Sequence, residues 1–232
     1  MNNQDELVAK FKLDLFEGHP IINHNQDVIL IDTGAPSSIH DSGTINFCSK
    51  DYKCLTNFLG IEISKISSLL GKEITALLGV DILSQYKVIF DYRNNSVEFL
   101  NKKSEFDGTE IEISTFMGIP IIPLSIENKN LRFFLDTGAK LSYVSKSLTS
   151  NLNSIGIFED FYPLFGKFQT EVFNIPTYFE GEELNVNYGN LPPFLESTLL
   201  LSNAIGIIGF DFFNNFKIEL DLMNKRIKYK RY

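Results

Sequence analysis

Two aspartates stand in matching settings 104 positions apart: Asp32 in "LIDTGAPSS" and Asp136 in "LDTGAKLS", each behind bulky apolar residues and each followed by Thr, Gly and Ala. One Asp-Thr-Gly is an ordinary turn, because Asp bonds its own backbone and Gly accepts conformations that other residues avoid. Two copies at matched places suggest chemistry that takes one carboxylate from each of two equivalent units. If the loops meet, Asp32 and Asp136 lie within hydrogen-bond reach, and carboxylates that close share one proton over a wide pH range. One then acts as base toward a water while the other donates a proton to the carbonyl under attack. That is peptide hydrolysis without a metal or a covalent intermediate.

The elements that would position the pair are themselves repeated. "GHPII" at Gly18 recurs as "GIPII" at Gly118, and "DVILIDTGAPSSI" from Asp27 recurs as "LRFFLDTGAKLSY" from Leu131. "LLGVDILSQYKVIFDYRNNSVEFL" from Leu77 lies without gaps on "IIGFDFFNNFKIELDLMNKRIKYK" from Ile207. The offsets, 100, 104 and 130, rise in chain order, so two homologous lobes share one series of elements. The boundary is expected in the polar stretch Asn101–Glu110, giving lobes 1–104 and 105–232. "VILI" and "FFL" read as buried strands, and "KVIFDYRNNSVEFL" as two strands about an Arg93–Ser96 turn. "SKISSLLG" reads as a short helix capped by Ser64 and ended by Gly71, and "VDILSQY" and "FDFFNNF" as single helical turns. Asp81 and Asp211 read as N-caps of those turns, and Asp91 and Asp221 as structural. The fold class expected is all-β, two lobes with a few short helices.

An Asp-Thr-Gly-Ala behind an apolar strand, followed later by two apolar residues and Gly (Leu77-Leu78-Gly79, Ile207-Ile208-Gly209), resembles the retropepsin-like and pepsin-like aspartic proteases. The resemblance covers nearly the whole chain and implies a two-lobed acid-protease fold with pseudo-twofold symmetry. It implies catalytic roles for Asp32 and Asp136, with Thr33 and Thr137 reaching across to the opposite loop's backbone. Gly34 and Gly138 would let the loops approach, Ala35 and Ala139 complete them, and Gly79 and Gly209 would let neighbouring strands pass behind. The substrate implied is a peptide or protein, and a fused pair of lobes implies a monomer.

Pepsins usually place Ser or Thr after Asp-Thr-Gly, whereas Ala35 and Ala139 follow the retropepsin pattern and have no hydroxyl to donate to the carboxylates. From Asp32 to Gly79 the chain runs 47 residues, and from Asp136 to Gly209 it runs 73. The surplus of 26 holds "FYPLFGKFQTEVF", where Gly166-Lys167 fits a two-residue hairpin turn. A lid from lobe two, the reverse of the pepsin arrangement, would use Phe161, Tyr162, Phe165 and Phe168; the competing reading has Phe165 and Phe168 filling that lobe's core. The lobe-one stretch "TINFCSKDYKCLTNF" reads as a low rim. Beside the endopeptidase reading stand a protease-fold module that binds extended peptides without cutting them, and a purely structural protein.

Composition narrows partners. The chain has 232 residues, 44% hydrophobic and 22% charged, and the 21 Phe and 9 Tyr suit strands. A formal charge of −8 argues against a nucleic-acid surface. The N-terminal "MNNQDELVAKFKLDLF" lacks a leader pattern and no apolar run is of membrane-spanning length, so the default compartment is the cytoplasm. Cys48 and Cys54 flank "SKDYK", a candidate hairpin turn that would place them face to face, as thiols in a reducing cytosol or as a disulfide. Neither they nor the scattered His19, His24 and His40 have metal-site spacing, and no metal or cofactor is expected.

Overall fold

The apolar runs leading into the two Asp-Thr-Gly turns are rich in Ile, Leu and Phe, side chains that suit a strand packed on both faces. In the computed structural model, which describes residues 7–101 and 104–232, they form the strands Asp27–Ile31 and Lys129–Leu135. Each pairs in parallel with the strand that ends in the later apolar pair, Ala76–Leu78 or Gly206–Ile208. The register sets Ile31 beside Leu78 and Leu135 beside Ile208. Both Asp-Thr-Gly turns therefore begin where a partner strand runs out.

The two sheets built around these strands share an order. In one it is Asp14–Phe16, His19–His24, Asp27–Ile31, Ala76–Leu78, Ile39–His40; in the other, Ser114–Phe116, Ile119–Ile126, Lys129–Leu135, Gly206–Ile208, Ser142–Val144. The second sheet continues through Glu182–Asn190, Gly166–Phe179 and Gly156–Tyr162. A third sheet of six strands joins the halves: Leu7–Lys12, Ser96–Leu100 and Lys87–Asp91 from the first copy, then Phe216–Asp221, Arg226–Arg231 and Thr109–Glu112. At its centre Ile89 pairs with Glu219, its own counterpart in the repeat, so a twofold relation passes between them. Lys87 reaches Asp221 at 3.2 Å and Lys217 reaches Asp91 at 3.0 Å, one ion pair on each side of that axis. The all-β expectation agrees with this architecture. Lys102 and Lys103 of the expected boundary, and residues 1–6 of the stretch read as lacking a leader, lie outside the described residues. Among the described residues no helix is long and apolar enough to cross a membrane.

Several local expectations shift. The helix Ile63–Leu70 begins after Glu62, so Ser64 sits inside its first turn and does not cap it. Its start is set by burial of Ile63, Ile66 and Leu70 on one face, and Gly71 ends it at φ 74° as expected. Asp81 and Asp211 are not caps either: the short helices Val80–Leu83 and Phe210–Asn215 follow Gly79 and Gly209, which places each aspartate one residue into the first turn. There Asp81 accepts from the Ser38 backbone (2.9 Å) and hydroxyl (2.6 Å), and Asp211 from the Asn187 N–H at 3.1 Å. The first hairpin turns at Tyr92–Asn95, one residue early, because Asp91 accepts from both the backbone and the side chain of Asn94. The cysteines do not face each other. Cys48 and Ser49, at φ 50° and 61°, are the turn itself, and Cys54 lies beyond the far end of the returning strand Lys50–Lys53. Both are free thiols.

Candidate active site

The two Asp-Thr-Gly loops meet back to back and are tied by four reciprocal hydrogen bonds. Thr33 Oγ1 donates to the Leu135 carbonyl at 2.7 Å and accepts from the Thr137 N–H at 2.9 Å. Thr137 Oγ1 donates to the Ile31 carbonyl at 2.7 Å and accepts from the Thr33 N–H at 3.0 Å. Both threonines are fully buried, so each bond is shielded from competing water. The glycines let the loops come this close. A Cβ on Gly138 would lie 2.7 Å from the Asp32 carboxyl, and one on Gly34 would overlap that of Asp136. Behind them, a Cβ on Gly79 would lie 2.7 Å from the Ala35 carbonyl oxygen, and one on Gly209 would overlap that of Ala139. Those carbonyls are occupied, Ala35 accepting from the Val80 N–H at 2.9 Å and Ala139 from the Phe210 N–H at 3.0 Å.

This clamp sets the Asp32 and Asp136 carboxyls side by side, each against the opposite loop's glycine and close enough to perturb the other. Gly34 N–H donates to Asp32 Oδ1 and Gly138 N–H to Asp136 Oδ1, both at 2.8 Å. Each side chain is packed round by protein but keeps a face on the cavity between the lobes, and neither residue is wholly buried. Burial raises both groups above the ordinary carboxylate range, and the charge of Asp32 raises Asp136 further. The pair therefore holds a proton at pH values where an exposed carboxylate would have lost it. Among the described residues no group of three or more His, Cys, Asp and Glu is placed to hold a metal.

The cavity above the pair has a volume of about 190 Å³. Its roof is the hairpin of strands Gly156–Tyr162 and Gly166–Phe179, whose Phe161, Tyr162, Pro163, Leu164 and Phe168 line it together with the two aspartates. Burial and the two aspartates both raise the Tyr162 phenol. The turn lies earlier than "Gly166-Lys167": Tyr162 pairs with Gly166, the loop is Pro163-Leu164-Phe165, and Gly166 closes it at φ 84°. Proline at its start and a left-handed Gly at its end specify that three-residue loop. As a result Phe165 points away, half exposed and against Tyr162, and Lys167 pairs with Glu159 at 3.2 Å. Of the four expected lid aromatics, Phe161, Tyr162 and Phe168 line the cavity and Phe165 does not; Gly166 and Lys167, the expected turn, do not line it either. Lobe one's side of the cavity includes Phe58 and Ile61 of the small hairpin Asn57–Glu62, not the Cys48–Ser49 turn.

Among the polar lining residues that were not singled out from the sequence are His19, Tyr143 and Asp160. A signal for two of them exists in the repeat. Position for position, His19 matches Ile119 and Tyr143 matches Ile39, so a polar residue in one copy stands where the other has isoleucine. Asp160 lies in the stretch unique to the second copy and has no counterpart to compare.

No protein-family model and no curated protein matches the sequence. Among solved structures, the chain is similar to a foamy viral protease–reverse transcriptase in complex with an RNA/DNA hybrid, at 15% identity and a TM-score of 0.32. That match covers 40% of this chain and 11% of the other. It is also similar to the protease of simian foamy virus (mac), at 16% identity and a TM-score of 0.27, over 34% of this chain and 94% of that one. Likenesses this low leave the functional reading to stand on the site's own geometry.

Proposed function

We propose that the chain is an aspartic endopeptidase in which Asp32 and Asp136 share a proton and activate a water against a peptide carbonyl. The observation that supports it above all is the reciprocal threonine clamp. It brings two carboxyls from separate, sequence-related loops into contact at the floor of a cavity, an arrangement that a structural role does not require and that raises the cost of burial. Peptide lies between lobes 1–104 and 105–232, under the lobe-two hairpin. The cavity is smaller than the roughly 300 Å³ of a small-molecule pocket, so the hairpin lifts to admit an extended chain. Both carboxylates come from one chain, so the monomer is catalytically complete.

The test is incubation with a diverse peptide mixture across about pH 3 to 8, with and without a statine transition-state analogue. Cleavage that the statine blocks, at a rate per chain independent of protein concentration, is expected. Absence of cleavage at every pH overturns the hydrolase and leaves a peptide-binding module; activity rising through a dimerisation constant overturns the single-chain site.

A further inference from the structure

Beside the dyad, Ser37 and the Tyr162 phenol, the polar residues lining the cavity are Tyr143, Asp160 and His19, which come together from three different strands. The Tyr143 hydroxyl donates to Asp160 Oδ2 at 2.5 Å, and the Phe161 N–H donates to Asp160 Oδ1 at 2.8 Å. A carboxylate accepts about four hydrogen bonds, so capacity remains on both oxygens. The neighbouring acids are matched: Glu17 with Lys140 at 2.5 Å and Glu159 with Lys167 at 3.2 Å. Among the described residues no Lys or Arg lies within ion-pair distance of Asp160, which leaves one uncompensated negative charge facing this part of the cavity.

His19 adds a second acceptor. It is 3% exposed, and its Nδ1 lies 3.2 Å from the Phe16 carbonyl oxygen. A carbonyl can only accept, so Nδ1 carries the hydrogen. Burial lowers the imidazole's affinity for a second proton, leaving Nε2 with a free lone pair. The Tyr143 hydrogen is committed to Asp160, so its oxygen too has only lone pairs to offer. Every polar group of this cluster is an acceptor, and the set bears a net negative charge. In the repeat, His19 and Tyr143 each stand where the other copy has isoleucine, and both line this cavity. The chain's net charge of −8 favours approach of a cationic ligand.

We infer that Asp160, His19 and Tyr143 form a subsite for a cationic, multi-donor side chain, arginine or lysine, of a peptide lying across Asp32 and Asp136. The inference rests on the endopeptidase reading for the placement of the peptide. It makes the cleft basic-selective beside these three residues.

The experiment uses peptides identical except at one position, scanned along the sequence, where Arg, Lys, Met and Glu are exchanged. Wild type is expected to show, at one position, a kcat/KM ratio of Arg or Lys over Met of about 10-fold or more, with Glu poorest. Asp160→Asn keeps the shape and, with its single amide oxygen, one of the two accepted bonds, while removing the charge, and it should reduce that ratio to within about two-fold of unity. A flat ratio in wild type, or a ratio that survives Asp160→Asn, overturns the subsite. The same peptides are bound to Asp32→Asn protein and followed by fluorescence anisotropy. Arg-over-Met discrimination there, without cleavage by wild type, would sink the protease reading and leave the subsite standing; no discrimination in either assay sinks the subsite.

Discussion

The two lobes carry the same five-strand sheet and the same loop, yet one is a bare scaffold and the other is elaborated. From Asp32 to Gly79 lobe one uses 47 residues, including one amphipathic helix, Ile63–Leu70, and a low hairpin. From Asp136 to Gly209 lobe two uses 73 and gains the long strands Gly166–Phe179 and Glu182–Asn190, with alternating buried and exposed residues, the first of them entering the hairpin that roofs the cavity. What must be symmetric is kept symmetric: the threonine bonds agree within 0.1 Å, and each Asp-Thr-Gly glycine faces the opposite carboxyl. What lines the cavity is allowed to differ. Isoleucine in one copy becomes His19 or Tyr143 in the other, and only one lobe reaches over the cavity.

The largest effects should come from disturbing the shared centre. Gly34→Ala and Gly138→Ala each place a methyl on the opposing aspartate and should lower kcat by about 100-fold or more, since ångström-scale misplacement of reacting groups costs that much. A variant of either glycine with near-normal kcat would break the symmetry argument. Next come the threonines. Thr33→Val and Thr137→Val each strand a buried carbonyl and a buried N–H, and each should cost about 2–4 kcal/mol in denaturant unfolding. Costs differing by more than about 1 kcal/mol would show that one lobe alone holds the clamp.

The asymmetric parts should respond unequally. Bound statine should slow hydrogen exchange across Phe161–Phe168 far more than across Cys48–Cys54, because only the first stretch roofs the cavity. Equal slowing would return the lid to both lobes. As a smaller effect, Ser49→Gly relieves a left-handed residue at φ 61° in the lobe-one turn and should leave cleavage within about two-fold of wild type.

Much of the centre was legible because it is repeated. Asp32, Thr33, Gly34 and their partners announce themselves by recurring amid few other identities, and the parallel strands behind them follow from apolar runs. The hairpin over the cavity was legible as a surplus of residues with a Gly, but its turn was misplaced: proline at 163 and the strand register moved it three residues toward the N-terminus and swung Phe165 outward. The caps at Ser64, Asp81 and Asp211 failed for a similar reason, since burial of Ile63 and the strand ends at Gly79 and Gly209 fix where those helices start. Asp160 was invisible, because its role depends on Tyr143 across a strand pairing that no local pattern encodes.

The most direct test of the dyad is to replace one oxygen on each side. Asp32→Asn and Asp136→Asn should each abolish turnover while both variants stay folded. Burial holds these carboxyls above their ordinary range, so the native state binds more protons than the unfolded chain in that window. Wild-type stability then falls as pH rises from about 4 through the raised values, and each Asn variant should melt higher than wild type near neutral pH. Loss of activity in both, with that gain in stability, is the result expected; cleavage persisting in either purified variant would contradict the shared-proton pair.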